Sequence, residues 1–125
     1  SSISQAAAVE ALNGKQGFIK TRANAFKTRR NFVVKCLNSI KGINCLTPNG
    51  AFYVFPSCKG LLSKKTKLKT DTNFVQKLLE KENVAVVQGS AFGLEGYFRI
   101  SYATSMQSLK KAMKRIKSFC ETLNE

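Results

Sequence analysis

From Phe18 to Ile40 the apolar residues Phe18, Ala25, Phe26, Phe32, Val33, Cys36, Leu37 and Ile40 recur mostly three and four apart, the repeat of a helix with one buried face. Arg22, Arg29 and Arg30 interrupt the stripe without breaking the period, so the pattern predicts one long helix, which Gly42 stops. Ahead of it, Ile3 to Leu12 is short, alanine-rich and ended by Asn13-Gly14; such a helix needs a neighbour to lie on. The period then changes. Ile43 to Leu46 reads as a short strand, and Pro48-Asn49-Gly50 is a turn into Ala51-Phe52-Tyr53-Val54-Phe55, which together predict a hairpin. Thr70 or Asp71 can cap a helix through Glu82 whose inner stripe is Phe74, Val75, Leu78 and Leu79. Val84 to Val87 is β-branched and strand-like, Gly89 to Gly96 is a glycine-bounded loop, and Tyr97 to Ser101 is a further strand. Ser105 caps a last helix that gathers Met106, Leu109, Met113, Ile116, Cys120 and Leu123 on one face, with Lys110, Lys111, Lys114, Arg115 and Lys117 outside it. The order α-α-β-β-α-β-β-α implies an α/β fold of the two-layer α+β kind, a small mixed sheet with helices packed on it.

Composition adds that this is enough chain for one core: 125 residues, 43% of them hydrophobic. Cys36, Cys45, Cys58 and Cys120 form no C-x-x-C pair, and with no histidine a zinc site would need all four thiolates at scattered spacing; no metal is expected. Reduced thiols beside apolar residues and the lack of any bilayer-length apolar run point to a cytoplasmic chain with no membrane partner. The net charge of +14 exceeds what solubility asks of a small domain and raises the alternative of a basic nucleic-acid-binding module. Yet the densest stretch, Lys59 to Lys69, holds five lysines and no aromatic residue, so it lacks the stacking groups of single-strand binders and reads as a solvated loop; no specific nucleic-acid partner is expected.

Candidate chemistry is sparse. No histidine means no Ser-His or Cys-His nucleophile, and the seven carboxylates form no obvious acid–base pair. Most lysines lie in polar surroundings that would not lower a pKa for Schiff-base work, so no catalytic residue is assigned. Gly89-Ser90-Ala91-Phe92-Gly93 fails as a phosphate cradle because a strand, not a helix, follows it; its glycines read as turn-formers. Arg99 stands out within Tyr97-Phe98-Arg99-Ile100-Ser101-Tyr102. Alternation sets it opposite Phe98 and Ile100, which allows a plain arginine on an open face; if it is instead walled by apolar groups, it requires an anion, and its planar fork suits a carboxylate.

Read in order, Gln5-Ala6-Ala7-Ala8-Val9-Glu10-Ala11-Leu12, Pro48-Asn49-Gly50-Ala51-Phe52-Tyr53-Val54-Phe55, Val84-Ala85-Val86-Val87-Gln88-Gly89-Ser90-Ala91-Phe92-Gly93 and Gly96-Tyr97-Phe98-Arg99-Ile100-Ser101-Tyr102-Ala103-Thr104-Ser105 resemble the C-terminal region of bacterial class I aspartate aminotransferases. The resemblance covers nearly the whole chain, and four motifs in the right order and spacing are specific where any one is weak.

The resemblance implies the small domain of a fold-type I enzyme, residues 1–125, with the helix of about 18–40 bridging to a cofactor domain that this sequence lacks. It implies transfer of an amino group from L-aspartate to 2-oxoglutarate through pyridoxal 5'-phosphate, bound by residues outside this chain, in an enzyme that is a homodimer when full length. By motif position, Arg99 matches the arginine that grips the substrate α-carboxylate, and Phe52 a residue beside the pocket that helps exclude water. The Schiff-base lysine, the aspartate at the pyridine nitrogen and the phosphate-binding residues have no counterpart here. The segment alone is therefore expected to be inactive, and other dicarboxylic or prephenate-type substrates stay open.

Overall fold

The computed structural model describes residues 1–124. Two helices open the chain, α1 (Ser2–Asn13) and α2 (Gly17–Asn38). After a long irregular stretch come β1 (Tyr53–Val54), a 3-10 turn at Lys59–Leu61, α3 (Asp71–Glu82) and β2 (Val87–Gln88). A second 3-10 turn, Gly89–Phe92, leads to β3 (Phe98–Ser101) and the last helix α4 (Met106–Asn124). The helices pack on one side of a sheet ordered β1-β3-β2, so the predicted α+β class stands.

Three details of the predicted order are corrected. Both pairings of β3 are antiparallel, so the sheet is not mixed. There are three strands among the described residues where four were expected, because Ile43 to Leu46 forms none; its one sheet-like contact is the bridge Asn44↔Ser57. The cause is local. The Asn38 side chain accepts from the Cys45 N–H at 2.8 Å and donates to the Cys45 carbonyl at 2.9 Å, taking both groups a ladder would need. Without that strand the predicted hairpin does not close, and β1 pairs with β3 instead, with Val54 opposite Ile100. Lastly, the strand expected over Val84 to Val87 is reduced to Val87–Gln88, and Val84, Ala85 and Val86 line a groove of about 340 Å³ together with Ile100 and Ser101.

The core explains why these elements hold. Val33, Val34 and Leu37 from α2, Phe74 and Leu78 from α3, and Leu109, Met113, Ile116 and Cys120 from α4 are buried against Val54, Phe98 and Ile100 of the sheet. The Phe74 ring lies 5.0 Å from Phe98 and 5.6 Å from Phe119, a tilted aromatic cluster at the centre of the layer between helices and sheet. At roughly 1.5–3 kcal/mol for each fully buried large apolar side chain, this interface dominates the stability. Of the stripe predicted for α4, Leu109, Met113, Ile116 and Cys120 are buried, Met106 and Leu123 at its ends are half-buried, Phe119 is added, and Lys110, Lys111, Lys114, Arg115 and Lys117 are exposed. Caps fix the helix starts: Thr70 Oγ1 accepts from the Asn73 N–H at 3.1 Å and Ser105 Oγ from the Ser108 N–H at 3.0 Å.

The first two helices behave otherwise. None of the residues of α1 is buried, and Ile3, Val9 and Leu12 are exposed. Although the apolar repeat of α2 runs its whole length, only its second half, from Phe26 on, reaches the core, and Phe18 and Ile19 are half in water.

Candidate functional site

β3 is the central strand, and its alternation sorts the sheet into two faces. Phe98 and Ile100 turn to the core, while Arg99 turns to the open side and is half-buried there. Arg99 pairs with Val87 of β2 and lies diagonal to Tyr53 of β1, which pairs with Ser101. Its guanidinium carbon stands 4.4 Å from the centre of the Phe92 ring and 5.3 Å from that of Tyr53. Aromatic π faces attract the cation without neutralising it. Among the described residues no carboxylate pairs with Arg99, and the Lys117–Glu121 ion pair, at 3.8 Å, is exposed on α4. The planar fork, flanked by rings and free of a resident anion, is suited to taking a carboxylate from outside by two parallel N–H bonds.

Phe92 reaches this place because of how its turn is held. The Gly89 N–H donates to the Tyr97 carbonyl at 2.7 Å, and a Cβ at Gly89 would come within 2.8 Å of the Cβ of Tyr97. Gly93 closes the turn at φ 76°, where an L side chain is strained. Between them, the Ser90 N–H donates to Oδ2 of Asp71 at 2.7 Å, and the Asp71 side chain, in the first turn of α3, is only 2% exposed. Further rings continue the open face: Phe55 lies edge-on to Phe92 at 5.9 Å and stacks on Tyr97 at 5.8 Å, with the Lys59 ammonium 5.0 Å from the Tyr97 ring.

Phe52, the other residue singled out by sequence, is 53% exposed and meets Tyr53 edge-on at 5.6 Å; it is linked to Arg99 through that ring. Its backbone is fixed, since its carbonyl accepts from the Tyr102 N–H at 2.8 Å. The preceding turn is pinned from two sides. The Tyr102 hydroxyl donates to the Ala51 carbonyl at 2.9 Å, Arg30 donates to the Pro48 carbonyl at 3.0 Å, and Ala51 sits at φ 64°. Burial pushes the Tyr102 phenol above its ordinary range, opposed by the nearby Arg30 charge. Sequence reasoning missed Phe92, Tyr53 and Asp71; the last was read only as a possible helix cap, and nothing short of the fold shows that its carboxylate crosses to Ser90.

The remaining ionisable groups offer no second centre. Every lysine is exposed save the half-buried Lys77 on α3, so none has the desolvated surroundings of a Schiff-base lysine. Cys45, Cys58 and Cys120 are buried, and burial pushes their thiols up to about 11, about 12 and about 12. The basic stretch Lys59 to Lys69 is more ordered than a solvated loop: Leu61 and Leu68 are fully buried, Ser63 bridges to Leu68, and Thr66 Oγ1 donates to the Leu61 carbonyl at 2.8 Å.

Comparison with known proteins bears on this geometry. Residues 1–116 match the family described as Aminotransferase class I and II. The aspartate aminotransferase of Rhizobium meliloti (strain 1021) is 55% identical over 128 residues, an alignment covering 99% of this chain and 31% of that protein. A probable aspartate/prephenate aminotransferase of Rhizobium leguminosarum bv. phaseoli is 57% identical over 123 residues, 95% of this chain and 31% of that protein. In structure, the chain is similar to the crystal structure of the Rhizobium meliloti aspartate aminotransferase, with a TM-score of 0.91, 55% identity and coverage of 97% of this chain and 31% of the other. The alanine aminotransferase of Pyrococcus furiosus superposes with a TM-score of 0.85 at 34% identity, over 93% of this chain and 29% of the other. The chain thus spans about 31% of the length of the curated relatives it matches.

Proposed function

Because this chain belongs to the class I and II aminotransferases, we propose that it is the small-domain part of an aspartate aminotransferase, with Arg99 as the residue that binds the substrate α-carboxylate. The observation that carries the reading is the half-buried guanidinium of Arg99 between the Phe92 and Tyr53 rings with no carboxylate of the described residues beside it. Relatives named for aspartate and for aspartate/prephenate support a dicarboxylic amino donor, with 2-oxoglutarate as acceptor, and leave a bulkier prephenate-type acceptor within the same class. In this reading Phe52, just before Tyr53 of β1, lies beside the pocket and helps exclude water.

Enzymes of this family use pyridoxal 5'-phosphate, which supplies the carbonyl that takes up the amino group. The described residues do not make a site for it: no lysine is desolvated, and no carboxylate lies beside Arg99 to meet a pyridine nitrogen. In this proposal the cofactor is held by the part of the polypeptide outside these 125 residues, in a cytoplasmic homodimer, with α2 as the link between the two domains. What this chain supplies is orientation. A carboxylate fixed by two charge-assisted bonds sets the amino acid in one pose, and each bond is worth roughly 1.5–3 kcal/mol.

The test is made in the full-length enzyme. Arg99→Ala should lower kcat/KM for aspartate by roughly 10²- to 10⁴-fold. Arg99→Lys should fare little better, because an ammonium lacks the fork. The rate with a simple primary amine, which has no α-carboxylate, should be unchanged in both. Wild-type kcat/KM for aspartate in Arg99→Ala would refute the assignment.

A further inference from the structure

Resting on that reading of Arg99, we propose that Phe92 and Asp71 are positioning residues for carboxylate recognition, Phe92 acting directly on Arg99 and Asp71 acting through the turn that carries Phe92. A long arginine side chain on an open sheet face ordinarily samples many rotamers, and each rotamer lost on binding weakens the complex. Here one π face stands 4.4 Å from the guanidinium carbon and a second 5.3 Å away, so the planar fork is held before any acid arrives. The nearer ring is the one whose position is not set by the sheet. Phe92 lies at the end of the 3-10 turn Gly89–Phe92, outside any strand.

What holds that turn is unusual for this chain. Among the described residues Asp71 is the one charged side chain in the buried core, in a protein of net charge +14, and its Oδ2 receives the Ser90 N–H at 2.7 Å. Thr72 adds a hydroxyl contact to Ser90 at 3.4 Å. A neutral residue at 71 could start α3 equally well, since Thr70 already caps it. A buried carboxylate is costly unless it is hydrogen-bonded, so its partner identifies its role: it ties the first turn of α3 to the segment that delivers Phe92. The route Asp71, Ser90, Phe92, Arg99 therefore joins a helix start in the core to the carboxylate fork.

Binding of an amino-group-free dicarboxylic acid to the full-length holoenzyme, measured by calorimetry, tests this without turnover. Phe92→Leu should weaken binding by about 3- to 30-fold, the range expected from one cation–π contact, and Phe92→Tyr should restore it. Asp71→Asn keeps the shape and one acceptor oxygen, so the fold should survive; it should weaken binding by a smaller factor, and in a Phe92→Leu background it should change nothing further. Wild-type affinity in Phe92→Leu, or Phe92→Tyr binding as poorly as Phe92→Leu, would overturn the role of Phe92. An Asp71→Asn effect that persists in full without Phe92 would overturn the route through the turn. If Arg99→Ala itself leaves affinity intact, the parent reading fails; if Arg99→Ala weakens binding and Phe92→Leu does not, only the present inference fails.

Discussion

Two rings flank the guanidinium of Arg99 while its hydrogen-bonding edges find no anion among the described residues, and that combination separates it from the other surface arginines. Arg22 and Arg29 also lie over rings, Phe18 at 4.9 Å and Phe26 at 5.5 Å, but each is flanked by a single ring and sits on a helix. From pattern alone Arg99 reads first as an open-face arginine, with an anion site as the alternative; the structure shows it to be on the open face and walled at once, because the wall comes from Phe92, which local alternation says nothing about. The turn beneath Phe52 offers a test at the same scale. Tyr102→Phe removes the donor to the Ala51 carbonyl in a part-buried place and leaves Ala51 less supported at φ 64°, so thermal or urea unfolding should show a loss of about 0.5–1.5 kcal/mol.

At the scale of elements, periodicity found the four helices nearly to their ends and placed the inner stripe of α4 correctly, since a sustained apolar face is the strongest signal a sequence holds. It failed where side chains compete with the backbone. Ile43 to Leu46 has strand composition, yet Asn38 occupies both backbone groups of Cys45, an interaction seven residues away that no window on the strand itself contains. Asn38→Ala should therefore cost roughly 1–3 kcal/mol in a denaturant titration, because it strands two backbone groups of a residue only 3% exposed. Asn38→Asp should cost less, as it keeps the acceptor for the Cys45 N–H.

For the whole molecule, the fold class was legible because helix and strand periods alternate along the chain, whereas the pairing of β1 with β3 was not, since their partner choice depends on residues nearly fifty apart. The buried thiols give a global consequence. Folding raises the thiols of Cys45, Cys58 and Cys120 to about 11, about 12 and about 12, from an unfolded value near 9. The folded state thus holds more protons than the unfolded one above about pH 9, and stability falls as pH rises from there toward 11 or 12. The limiting slope is about 1.4 kcal/mol per pH unit for each thiol. Melting temperature followed from pH 8 to pH 10.5 should decline, and Cys58→Ala should flatten the decline. A different consequence follows from where α2 is seated. Val33, Val34 and Leu37 clamp its end, while the stretch from Gly17 to Ala25 projects beyond the core with every residue exposed. The nine residues from Gly17 to Ala25 measure about 14 Å at 1.5 Å each, so the helix is a lever with its fulcrum at Phe26, whose ring meets Tyr102. A tilt of about 10° at that fulcrum would sweep the tip through roughly 2 Å. Motion too slight to disturb the packing of the core would be magnified at the far end into a shift longer than a covalent bond.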